Sequence, residues 1–294
     1  MGSNIPTDVS AFIPLEFKFL TEQMIRKAEE ELGETEKRRK ECLEEFKNMI
    51  KREKNLNANT CDEFLLIFLR GKKFRLEAAF KVLKKYYLNR KTYSSLYQKF
   101  SPEHCREALL ANFLNFLPLR TPEGESVWVP RIGSWDTKIF TPEEITRVGL
   151  ICLEMEMKNP VTQICGMVVL LDLKGFSCSH MFQITSTSLM CFMNTVQDGL
   201  PLRLTALHVI NNPSIFGAVF KTVKPLLNAK IKKRVYFHGN DLSSLHQFLP
   251  KEMLPEEFGG TQGPFGNARF YQSLLDNEEE YKKCQQYGYG VVRM

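Results

Sequence analysis

Beyond about residue 120 the chain alternates short runs of β-branched and aromatic residues with stretches of helical spacing, and few folds accept that alternation. The runs are "ESVWVPRIG", "GMVVLLDLKG", "LTALHVIN" and "KRVYFHG", each bounded by turn formers. Between them lie "TPEEITRVGLICLEMEMKN", "TSTSLMCFMNTVQD" and the segment 212–234. In the first of these, Thr141 is placed to cap, Pro142 takes the first helical position and Glu144 completes a capping box. Strands alternating with helices predict an α/β layer with mainly parallel pairing. The run "VVLLDL" is apolar enough for a central strand covered on both faces.

The N-terminal third has another texture. Residues 15–56 place apolar side chains at helical spacing among many Glu, Lys and Arg, which predicts solvated amphipathic helices. "TCDEFLLIFLRGKKF" opens with Thr60 and Glu63 at capping-box spacing, and Gly71 can close that helix. "RLEAAFKVLKKYYLNRK" predicts the next helix. The chain thus divides into an all-α module over 1–95, an α/β domain over 96–262 and a tail over 263–294, expected to be flexible.

Composition narrows the setting. The apolar fraction is 43% and the charged fraction 25%, values ordinary for a folded soluble protein. No run is long and apolar enough to span a bilayer, and "MGSNIPTDVSAF" lacks the basic and apolar regions of a secretory signal. The chain starts Met-Gly, but Thr7 lies one place beyond the hydroxyl position of a myristoylation signal, and "VVRM" holds no prenylation box. The eight cysteines form no Cys-x-x-Cys pair, so reduced thiols in a cytoplasmic protein are expected rather than disulfides or a zinc site.

The charge is unevenly placed. From Arg203 to Arg234 the chain has seven cations and no acid, against a net charge of +6 for the whole, so the rest is nearly neutral. Within that window Ile215, Phe216, Val219, Phe220 and Val223 form one apolar stripe if residues 214–227 are helical, with Lys221 and Lys224 off it and Pro225 ending or kinking the helix. A surface helix would bury such a stripe in the core, and a solvated basic face would account for the cations. No stacking aromatics or recognised module support nucleic-acid binding.

Several segments together resemble the CRAL-TRIO lipid-binding family. "FLLIFLRGKKF" with "AAFKVLKKYYLNR" is similar to its N-terminal helical module. "DLKGFSCSHMFQIT", "DGLPLRLTALHVINNPSIFGAVFKTVKPLL", "KIKKRVYFHGND" and "LPKEMLPEEFGG" are similar to its lipid-binding domain. The likeness runs from about residue 15 to 262 and is nearest to the α-tocopherol transfer subgroup. It implies a mixed, mainly parallel sheet flooring an apolar cavity, closed by a mobile helical lid made of the 215–223 stripe. It also implies a phosphoinositide-binding set of Lys72, Arg203, Lys230 and Arg234, with Lys232 and Lys233 compensating for Thr205 where the subgroup has another base. The implied cavity wall is Val148, Gly149, Leu150, Leu153, Leu171, Phe176, Phe192, Val196, Leu200, Leu202 and Leu207, each of which ordinary core packing would also explain. Where the subgroup has two serines, a tyrosine and a tryptophan near its ligand, this chain has Gly149, Leu153, Pro130 and Phe176, a more apolar wall. Tocopherol, a retinoid, a carotenoid, a sterol-like molecule or another isoprenoid all remain open as ligand.

The resemblance therefore implies a monomeric cytoplasmic carrier that transfers a small hydrophobic ligand while touching phosphoinositide membranes transiently. A lipid-sensing adaptor acting through the helices at 21–56, or a phospholipid exchange protein, are the alternatives. Catalysis is not expected. His208 and His238 end strands near Asp136, Asp172 and Asp241 in kind, yet no Gly-x-Ser-x-Gly elbow accompanies them. "GKK" at 71–73 lacks the glycine and hydroxyl of a phosphate-binding loop, and His180 has no metal-ligand partner at useful spacing. No cofactor other than the bound lipid is expected.

Overall fold

The computed structural model describes residues 12–290; the Met-Gly start, Thr7 and the final "VVRM" lie outside the described residues. Helices Glu22–Lys27, Glu36–Arg52, Asp62–Gly71 and Leu76–Thr92 make up the N-terminal part, with strand β1 (Leu56–Asn57) between the second and third. Each of the first two starts on a threonine, Thr21 and Thr35, whose hydroxyl accepts from the backbone N–H three residues on. Thr60 does not cap the third: that helix begins after Cys61, whose own N–H donates to the Asn59 side chain. Gly71 is its last residue, and left-handed backbone falls instead on Lys73 and Phe74. The glycine is needed for another reason, since a Cβ there would sit 2.2 Å from the Pro201 carbonyl oxygen.

The sheet has five strands in the order β2 (Leu114–Phe116), β3 (Ser126–Pro130), β4 (Met167–Asp172), β5 (Leu204–Ile210) and β6 (Val235–Gly239). β2 pairs antiparallel with β3, and the remaining neighbours pair in parallel. The fold is thus the expected mixed, mainly parallel α/β layer; β2 was not foreseen. The Pro142–Glu156 helix has the expected capping box, with Thr141 and Glu144 bonding each other's backbone N–H. With Pro160–Cys165 it makes up the β3–β4 crossover, Cys178–Gln183 and Ser186–Phe192 lie in the next, and Phe216–Val223 lies in the last. After Val223 a 3-10 turn over Lys224–Leu226 takes up Pro225.

The strands sort their side chains by the two-residue period. Val127, Val129, Val168, Leu170 and Ile210 face a compact cluster with Leu245, Leu249, Met253, Leu254 and Phe258. Trp128 and Val169 face the main core, and Leu171, Leu207 and Val209 face a separate cluster built on Phe176, Phe216 and Val219. Two largely buried arginines fasten the N-terminal helices to this layer. Arg70 forks onto Glu34 at 2.7 and 2.8 Å and donates to Gln163 at 2.7 Å; Arg90 meets Glu154 at 2.7 Å.

Residues 263–290 are not a free tail. Helices Ala268–Asp276 and Glu278–Cys284 dock on the body through buried Tyr271, Leu274 and Tyr281. The Tyr281 hydroxyl donates to the Ile151 carbonyl at 2.8 Å, and β7 (Gly288–Tyr289) pairs antiparallel with β1. The two helices bury only three side chains among many charged ones, which is why this segment reads as solvated.

Candidate functional site

The Phe216–Val223 helix carries the anticipated stripe. Phe216 and Val219 are buried and Ile215, Phe220 and Val223 half-buried in the second cluster, while Lys221 and Lys224 are exposed. Phe216 meets Phe176 edge-on, centroids 5.8 Å apart, and Phe220 meets Phe237 of β6 at 4.9 Å. Both ends of the segment are fixed. At the start, Asn211, in left-handed backbone, donates to the Asp172 carboxylate at 2.8 Å. At the end, Gln197 donates to Leu226 O at 3.3 Å and accepts from Asn228 N–H at 2.9 Å. Between these anchors Gly217 faces open space.

The expected wall residues fall into two groups. Val148, Leu150, Leu153 and Leu200 are buried in the main core, with Gly149 packed against Leu114 and Trp128, and Phe176 sits in the second cluster, stacked on His180. Leu171, Phe192, Val196, Leu202 and Leu207 are only half-buried, as are Val169 and Cys191, which sequence reasoning did not single out. Val169 and Leu171 share one face of β4, yet the first packs on the main core and the second on the cluster under the Phe216–Val223 helix. Half-buried apolar side chains thus border both clusters on this side of the sheet, with Leu171 and Leu207 in the one beneath that helix and Val169, Val196 and Leu202 against the main core. Two open hollows lie elsewhere, about 510 Å³ beside Arg38 and Glu41 and about 360 Å³ beside His104 and Arg147, and their charged lining suits no apolar molecule.

Beside the helix the cations converge from three parts of the chain. Lys72 and Lys73 stand at the turn that Gly71 brings against Pro201, Arg203 precedes β5, Lys230 lies in the short Ala229–Lys232 helix and Arg234 just after it. Burial and then the positive neighbours Arg234, Lys73, Arg203 and Lys72 hold the Lys230 ammonium below its usual range. Burial and Arg75 lower Lys72 likewise, against Asp198. Arg203 donates to the Ile164 carbonyl and pairs with Glu31 at 2.6 Å; Arg234 donates to the Leu204 carbonyl. Lys232 reaches the Pro225 carbonyl at 3.4 Å, and Lys233 is exposed. Thr205 donates instead to the Met167 carbonyl at 2.9 Å. Lys73 was missed because its neighbours are distant in sequence. Such a gathering of partly desolvated cations favours a multiply charged anion.

The CRAL/TRIO domain model matches residues 110–260. The chain belongs to the CRAL/TRIO family. Members of this family are known for lipid binding and transfer. The human alpha-tocopherol transfer protein-like (Homo sapiens) is 35% identical over 269 residues, covering 90% of this chain and 79% of that protein. Clavesin-2 of Rattus norvegicus is 30% identical over 262 residues, covering 88% and 80%. A looser likeness, TM-score 0.49 at 16% identity over 90% of this chain and 99% of the other, is to the crystal structure of Sfh5. Among the described residues no helix is long and apolar enough to cross a membrane, and no group of three His, Cys, Asp or Glu could hold a metal ion.

Histidines 208 and 238, weighed above for catalysis, form a buried pair instead. His208 Nδ1 and His238 Nε2 are 2.9 Å apart, and His238 Nδ1 lies 2.7 Å from the Ser244 hydroxyl. That hydroxyl donates to the Asp241 carbonyl. His208 is stacked on Tyr236, Phe248 packs against both rings at an angle, and the pair ties β5 and β6 to the Leu242–Leu245 helix.

Proposed function

We propose that this protein is a carrier of one small hydrophobic molecule, tocopherol, a retinoid or another isoprenoid-like lipid, which it exchanges at phosphoinositide-bearing membranes without catalysis. The ligand lies along the seam of Val169, Leu171, Val196, Leu202 and Leu207, under the Phe216–Val223 helix acting as lid. Phosphates of the headgroup meet Lys72, Lys73, Arg203, Lys230 and Arg234, with Lys232 and Lys233 at the margin. The protein works as a monomer in the cytoplasm and touches membranes transiently. The observation that carries this reading is the adjacency of lid and cation cluster: the segment that leaves Val223 runs directly into Lys230 and Arg234. The transfer named in one relative supports it.

The energetics require a membrane. Baring the stripe to water costs roughly 5–10 kcal/mol for five half-buried to buried apolar side chains, so the free protein keeps its lid down. Bilayer contact restores that burial, and each cation near an anionic surface adds about 1 kcal/mol. A free ligand in water is no intermediate, since about fifteen carbons at 0.8 kcal/mol each cost more than roughly ten kcal/mol. Phe182, 76% exposed and set between Met181 and Ile184 of the lid cluster, gives the docked face a further apolar contact.

The test is transfer of a fluorescent tocopherol analogue between vesicles with and without phosphatidylinositol bisphosphate. Faster transfer with the phosphoinositide is expected; equal, slow transfer to both would remove the reading.

A further inference from the structure

Both terminal nitrogens of Arg203 are engaged within the protein. One terminal nitrogen donates to the Ile164 carbonyl, and the other meets Glu31 Oε2 at 2.6 Å. The guanidinium is 15% exposed and the carboxylate 42%, so the pair lies at the mouth of the cation cluster, not beneath it. Glu31 comes from the Ala28–Leu32 π-turn, far away in sequence. Its neighbours Glu29 and Glu30 are exposed and, among the described residues, form no ion pair. Desolvation would raise the Glu31 carboxyl, but Arg203, with Lys27 and Lys73, holds it below the usual carboxylate range. The other acids near the cluster are Asp198 beside Lys72, and Glu125 near Lys27.

From this geometry we infer that Glu31 is a resident anion of the phosphate site: its carboxylate holds one terminal nitrogen of Arg203 in the free protein and is exchanged for a phosphate oxygen when a headgroup binds. This rests on the carrier reading above. The exchange has a consequence for selectivity. A lipid offering a single charge replaces one carboxylate with an equivalent and gains little at Arg203. A phosphomonoester, with a charge near −1.5 to −2 and three acceptor oxygens, gains. Glu31 therefore sets a threshold that screens out singly charged anionic lipids.

Removing the competitor should release about fivefold in affinity, the worth of one partly exposed ion pair. The experiment compares the full chain with Glu31→Gln and Glu30→Gln. Each binds phosphatidylcholine vesicles containing phosphatidylinositol bisphosphate, vesicles containing phosphatidylserine, and soluble inositol trisphosphate. Glu31→Gln is expected to bind the phosphoinositide vesicles and the soluble headgroup about fivefold tighter, and to gain on phosphatidylserine at least as much, while Glu30→Gln stays at the parent value. Equal gains from both variants, or a gain on vesicles without one on the soluble headgroup, would mean general surface attraction and overturn the inference. No gain at all, or a loss, would make the pair a structural tie and overturn it too. If the parent binds neither phosphoinositide vesicles nor headgroup, the carrier reading itself fails. Should Glu31→Gln not fold, Glu31→Asp withdraws the charge by one methylene and carries the same expectation at smaller size.

Discussion

The Phe220 ring stands edge-on to Phe237, centroids 4.9 Å apart, and this contact joins the Phe216–Val223 helix to the edge strand of the sheet. With both ends of the segment anchored, at Asn211 and Gln197, the helix can lift only by losing this contact and that of Phe216 with Phe176. Phe220→Ala should cost about 1–2 kcal/mol of helix docking, less than a fully buried ring because Phe220 is half-buried. Hydrogen exchange over residues 216–223 is then expected to speed up about tenfold while the β4 amides stay protected. Unchanged exchange over the helix would show that this contact does not hold it down.

Lys230→Ala with Arg234→Ala should weaken binding to phosphoinositide vesicles by about tenfold or more, at about 1 kcal/mol per cation. Vesicle co-sedimentation measures this. The fold should be spared, since removing Lys230 relieves repulsion from Lys72, Lys73 and Arg203. Binding equal to the parent would dissociate the cluster from membranes.

The histidine pair makes stability depend on pH. Burial, and then His238, push the His208 imidazole down to about 4; burial also lowers His238, against Asp241. A histidine whose folded pKa is depressed stays neutral in the fold, so its contribution is present above pH 6.5 and is lost as pH falls toward 4. Thermal midpoints should therefore drop over that window, by an amount corresponding to roughly 2–3 kcal/mol. His208→Gln should flatten the profile. A flat profile in the parent would contradict the assignment.

The C-terminal helices should be essential to the fold. Tyr281→Ala removes a fully buried ring and its bond to Ile151, for about 3–5 kcal/mol. Truncation before residue 264 should leave an aggregating chain, visible by size exclusion. A stable, monodisperse truncation would restore the view of this segment as a tail.

Much of the fold was legible in the sequence. The runs that became β3 to β6 announce themselves by β-branched content, and the Thr141 box formed as its spacing required. The apolar stripe of the Phe216–Val223 helix was legible because five apolar residues recur on one helical face among lysines. What escaped depended on distant partners. β2 is three residues long and owes its conformation to β3. The Thr60 box failed because the chain turns into the helix one residue later, after Cys61. Within the site, Arg203 and the KIKKR run were readable as charge, but Glu31, 172 positions from its partner, and Lys73 join them only once Gly71 closes on Pro201.

The most direct test of the account is native mass spectrometry of the purified full chain, followed by solvent extraction. The account predicts one apolar adduct per chain, recovered in the organic phase and exchanged when the protein is incubated with vesicles carrying a different isoprenoid lipid. A bare chain mass with no extractable lipid, before and after such incubation, would contradict it.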